Sequence, residues 1–177
     1  MSFDNSPLYL FATMVEGMLG AMLIFFGRQE NVPAWKWWGA AYLLGAASVA
    51  IWTVGGARLG EPMVLALNAV GFVACGMVWN AARVFLGRKP NLPGLVFGAI
   101  AWIGASVALP SLDSATRLTL GAAIVAIYAS LTASELWTER RRAMQKRWLT
   151  IVVPAIHGCV LMLPILLGSL LRPHDDT

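Results

Sequence analysis

Long apolar runs alternate with short polar connections along the whole chain. The runs cover residues 8–27, 34–54, 62–87, 92–110, 116–137 and 148–171. Each is close to the ~20 residues that an α-helix needs to cross ~30 Å of hydrocarbon. The connections RQENVP, GGARLGEP, GRKPNLP and PSLDSAT each hold proline, glycine or charge, as helix ends do. This pattern predicts an all-α, polytopic membrane bundle of six transmembrane helices forming a single domain over 1–177. The loops are too short to hold a folded extramembrane domain.

Composition supports that reading and excludes a soluble globule. Charged residues make up 12% of the chain, hydrophobic residues 58%, and mean hydropathy is +0.68. A soluble domain carries about 25% charged residues. The net charge of +4 carries no nucleic-acid signal, because the cations sit in a few short loops. The densest is Arg140, Arg141, Arg142, Lys146 and Arg147, between the last two apolar runs. Arg28 and Lys36 flank the first connection, and Arg83, Arg88 and Lys89 the third. The alternate side has only Arg58, Arg117 and Arg172. The positive-inside rule therefore places the first, third and fifth connections in the cytoplasm and both termini outside, N-out and C-out. Trp35, Trp37, Trp38, Trp137 and Trp148 fall near the inner boundary, as an aromatic belt would. No Lys or Arg precedes Arg28, so the first run lacks the basic flank of a signal peptide and is expected to remain as a helix. Cys75 and Cys159 lie in separate apolar runs and form no CxxC.

Polar residues inside these runs are the candidates for function. Glu16 lies ~12 Å into the first helix, and His157 ~14 Å into the sixth from the other side. The two fall at similar depths and form a candidate ligand-binding or proton-sensing pair, since histidine titrates near neutral pH. Asn68, on the third helix, joins this group as an intramembrane polar residue. The plainer alternative is a helix-packing hydrogen bond. Pro154, one turn before His157, is expected to kink the sixth helix.

A second constellation sits at the inner edge. Gly76, Asn80, Arg83 and Gly87 share one face of the third helix by spacing, and Tyr128, Thr132, Glu135 and Glu139 share one face of the fifth. Arg83 opposite Glu135 would make a membrane-edge salt bridge, either a structural clamp or a route for coupling a membrane event to the basic loop. Gly94-x-x-x-Gly98 and Ala101-x-x-x-Ala105 on the fourth helix permit close helix approach, including a homodimer contact.

The absences are informative. Lys36, Lys89 and Lys146 all lie at the inner edge, so no buried lysine is placed for a retinal Schiff base. One intramembrane histidine cannot supply bis-histidine haem ligation, and HExxH, GxSxG and P-loop motifs are missing. The sequence thus predicts no catalytic residues, no metal site, no cofactor and no enzymatic activity.

The third-helix run NAARVFLGRKP from Asn80, the fifth-helix run SLTASELWTERRR from Ser130 and a sixth helix beginning just after the basic loop resemble the N-terminal membrane region of some bacterial GGDEF-domain diguanylate cyclases. The GGDEF sequence itself is absent. The resemblance implies a sensor or anchoring region of the bacterial inner membrane with a cytoplasmic output domain or protein. A C-terminus left outside would need a seventh helix after Thr177 to reach such an output. The expected function is accordingly a sensory input module that couples a small-molecule, lipid or membrane-state signal to that partner. Its expected surroundings are membrane lipids, with no nucleic-acid partner. The alternatives are a small proton-coupled transporter or channel using Glu16 and His157, and a structural membrane subunit.

Overall fold

The computed structural model describes residues 6–109 and 113–140. These form α1 (Ser6–Gln29), α2 (Pro33–Gly55), a 3-10 turn (Gly56–Arg58), α3 (Glu61–Phe85), α4 (Leu92–Ala108) and α5 (Ser114–Arg140). No strand occurs among the described residues. Packing divides the chain into Met1–Glu135 and Leu136–Thr177; of the second unit, only the last turn of α5 is described. Four helices, α1, α2, α3 and α5, are long and apolar enough to cross a membrane.

The first five expected segments are therefore helices, with one correction. α4 stops at Ala108 with 17 residues, a rise of about 26 Å that is at the lower limit for a membrane-crossing helix. Leu109 leaves helical geometry at φ −128°, ψ 70°. Pro110 follows it, and a residue before proline avoids the helical region. The expected sixth helix, 148–171, lies outside the described residues together with His157 and both chain ends, so the described fold comprises five helices rather than six.

Helix ends follow local chemistry. Asn31 adopts φ +50° and stops α1, and Pro33 opens α2 where its missing N–H costs nothing. α3 closes in a Schellman turn: Gly87 N–H donates to Val84 O at 3.0 Å and Arg88 N–H to Arg83 O at 2.9 Å. Gly87 has φ +72°, which its lack of a Cβ permits. Gly87 thus ends the helix rather than extending the Gly76–Asn80–Arg83 face. Asp113 caps α5. The Thr116 hydroxyl, and then the backbone N–H groups of Thr116 and Ala115, hold its exposed carboxyl below the usual carboxylate range.

Consecutive helices pack side by side from α1 to α4. α1 and α2 meet through small residues. A Cβ at Gly39 would lie 2.6 Å from Gly20 O, and one at Gly20 would lie 2.9 Å from Gly39 O. The two backbones therefore touch, the arrangement that small-residue membrane interfaces favour. Ser48 Oγ ties α2 to α3 by donating to Leu67 O at 2.7 Å. The main core lies where α3, α4 and α5 converge, built from Ala69, Phe72, Trp79, Ala99, Trp102, Ile124 and Tyr128.

The helix ends alternate. Trp38 near the start of α2 lies 5.7 Å from Phe85 at the end of α3, while Tyr9 of α1 lies 6.2 Å from Trp52 near the end of α2. Glu61 at the start of α3 pairs with Arg117 at the start of α5 at 2.8 Å. One end of the first unit thus collects Arg28, Lys36, Arg83, Arg88 and Lys89 against Glu30 and Glu135. The other collects Arg58 and Arg117 against Glu61 and Asp113.

Candidate functional site

The constellation at the end of α3 assembles around a buried asparagine. Asn80 is wholly buried. Its Nδ2 donates to Gly76 O at 2.9 Å and Asn91 O at 3.3 Å, and its Oδ1 accepts from Asn91 N–H at 2.5 Å. The side chain thereby pairs with the backbone of the α3–α4 connection as a strand would. Asn91 in turn caps α4, its Oδ1 accepting from Gly94 N–H at 3.1 Å. Gly76 fits the same junction, because a Cβ there would collide with the Leu95 backbone carbonyl.

Glu135 binds two cations. Arg83 Nη1 donates to Glu135 Oε1 at 2.7 Å, and Arg88 Nη1 donates to Glu135 Oε2. The carboxylate side chain is 9% exposed, Arg83 23% and Arg88 45%. Arg83 also donates from Nε to Lys89 O at 3.3 Å and stacks its guanidinium 5.3 Å from the centre of the Trp79 ring. The Arg83–Glu135 bridge expected from helical spacing is formed. Arg88 was not expected at it: the Schellman turn at Gly87 positions the following residue, and Gly87–Arg88 after an α3 run was the available signal.

Tyr128 and Thr132 extend this buried face of α5. The Tyr128 hydroxyl accepts from Gly98 N–H at 2.9 Å and donates to Gly94 O at 2.8 Å. Those two groups lie one turn apart on α4, so the phenol sits directly against that helix's backbone. Thr132 Oγ1 donates back to Tyr128 O at 2.8 Å. The small-residue face Gly94–Gly98 is thus filled within the chain, by Trp79 over Gly94 and by Tyr128 and Ile124 over Gly98.

Glu16 occupies a second polar centre, near the middle of α1. Its Oε1 lies 3.0 Å from where a Cβ on Gly45 of α2 would sit. The same Cβ position on Gly45 lies 3.9 Å from Ala74 Cβ of α3, so the carboxyl sits near where α1, α2 and α3 meet. Tyr42 lies three residues before Gly45 on α2 and Cys75 follows Ala74 on α3, so a phenol and a thiol stand on the neighbouring turns. Tyr42 and Cys75 were not anticipated, since an aromatic or a thiol within an apolar run carries no sequence signal of its own. Asn68 is placed elsewhere: it is exposed on α3 and donates to Val64 O of its own helix at 2.9 Å. His157, the expected partner of Glu16, lies outside the described residues.

The two centres are linked by α3, which carries Cys75 at one and Asn80 and Arg83 at the other, ~8–12 Å further along the helix. Among the described residues no group of His, Cys, Asp and Glu side chains could hold a metal ion. The polar groups present can exchange protons, accept or donate hydrogen bonds, and bind anions at the cationic edge. Compared with protein-family models, with curated proteins and with solved structures, the chain matches none of them.

Proposed function

We propose that this chain is a membrane-embedded input module of the bacterial inner membrane, one that converts a change at a polar centre within the bilayer into a change at its cytoplasmic edge without catalysis of its own. The observation that carries the proposal is the placement of Glu16, an ionisable side chain near mid-helix turned onto Gly45 of α2. Such residues are costly in hydrocarbon and mark sites of function. The distribution of polarity supports the membrane setting. Large apolar side chains such as Phe11, Met18, Phe97, Ile100 and Val107 are exposed, while Asn80, Thr132 and Glu135 are buried. Lipid tails favour that arrangement and water does not.

In this reading the end bearing Arg28, Lys36, Arg83, Arg88 and Lys89 faces the cytoplasm. Six crossings, the last over 148–171, leave both termini periplasmic. α3 transmits the event at Glu16 to the Asn80–Asn91 and Arg83–Glu135–Arg88 contacts. α5 passes it to the basic loop and to a cytoplasmic output partner of the kind the diguanylate-cyclase resemblance implies.

Hydrogen–deuterium exchange of the full chain in lipid nanodiscs tests the coupling. Glu16→Gln is expected to change exchange of the amides between Arg83 and Asn91 by about fivefold or more, the low end of an allosteric coupling. Exchange altered only in α1 and α2 would reduce Glu16 to a packing group. Solute or proton flux in liposomes that disappears with Glu16→Gln would favour the transporter reading instead.

A further inference from the structure

The geometry points to a binding site for the headgroup of an anionic phospholipid at Arg88 and Lys89, with its acyl chain running down the outer face of α4. The inference rests on the membrane-spanning reading above, and is independent of whether Glu16 senses anything. Among the described side chains, three cations, Arg83, Arg88 and Lys89, gather where α3 ends, and the carboxylate that faces them is Glu135. These described side chains carry an excess of positive charge. Arg83 is held on Glu135, on Lys89 O and against Trp79, and Arg88 and Lys89 are the cations turned outward. A guanidinium has five N–H donors in a planar fork. Glu135 takes one end of Arg88, and the side chain remains 45% exposed.

An apolar track continues from this cluster. Leu92 is 61% exposed, and Val96, Phe97 and Ile100 are exposed beyond it on α4. Cations at the top of an exposed apolar helix face match a molecule that is anionic at one end and hydrocarbon at the other. A soluble phosphate uses only the first half of that surface. At the opposite end Arg117 is paired with Glu61, which leaves Arg58 as a single cation there among the described side chains rather than a cluster. Basic clusters at the cytoplasmic edge of transmembrane helices attract anionic headgroups, with about a fivefold gain in affinity for each Lys or Arg near the surface.

The test is native mass spectrometry of the full chain released from nanodiscs of phosphatidylcholine containing phosphatidylglycerol at increasing fractions. The wild-type chain is expected to retain phosphatidylglycerol saturably. Lys89→Gln should weaken retention about fivefold, and Arg88→Gln with Lys89→Gln about 25-fold. Lys89→Gln is the safer variant, because Arg83 uses only the Lys89 backbone carbonyl. Arg58→Gln, a cation at the opposite end, should leave retention unchanged. Retention that is unaffected by the Lys89 and Arg88 changes, or equally affected by Arg58→Gln, overturns the site. Displacement of the lipid by millimolar inorganic phosphate would make it a general anion site and overturn the lipid assignment.

Discussion

Glu135→Ala is expected to destabilise the bundle by about 2–3 kcal/mol, read as an earlier midpoint in detergent-driven unfolding. Removing one partner of a buried ion pair costs ~3–5 kcal/mol, because the partner charge stays behind uncompensated. Here the cost falls at or below the bottom of that range, since Arg83 and Arg88 are 23% and 45% exposed and regain some solvation. The triple neutral variant Arg83→Gln, Arg88→Gln, Glu135→Gln should recover more than half of the loss, as no charge is then stranded. A simple charge swap, Arg83→Glu with Glu135→Arg, should rescue poorly, because the new arginine would face Arg88. An unchanged midpoint for Glu135→Ala would show that the cluster does not hold α5 in place.

The second large effect is expected at Gly39. A Cβ there would stand 2.6 Å from Gly20 O, 2.7 Å from Ile24 Cγ1 and 2.9 Å from Ile24 N. Two of these neighbours are backbone atoms, so a rotamer change cannot relieve the clash and the helices must separate. Gly39→Leu should therefore cost about 3 kcal/mol, the upper part of the overpacking range, and loosen α1 from α2. Ala47→Leu on the exposed side of α2 is the control, with a change within about 0.5 kcal/mol. Equal stability of the two variants would mean that the α1–α2 contact is not the close backbone approach described.

The helices were legible because a membrane span is read from length and polarity, which are local. The end of α3 was less so. Counting by three and four residues keeps Gly87 on the helical face, but φ +72° places it beyond the helix, and Arg88 reaches Glu135 only because of that turn. The bridge from Arg83 to Glu135 could be anticipated, since both faces are polar at one end of an otherwise apolar helix. The role of Asn80 as a mimic of backbone pairing could not, because it depends on where Asn91 returns. The Gly94–Gly98 spacing correctly signals a close contact and is silent on the partner, which is Tyr128 and Trp79 of the same chain. Asn68 shows the limit of reading polarity alone: it satisfies its amide on Val64 O and stays on the exposed face of α3.

The claim on which the rest depends is that successive connections lie on opposite faces of a membrane. Single cysteines introduced at Glu30, Lys89, Arg58 and Asp113, probed in intact cells and in inverted vesicles with a membrane-impermeant thiol reagent, test it directly. The unsubstituted chain serves as the blank for Cys75 and Cys159. Positions 30 and 89 should label only in inverted vesicles, and positions 58 and 113 only in intact cells. Labelling of all four positions from the same side would contradict the account.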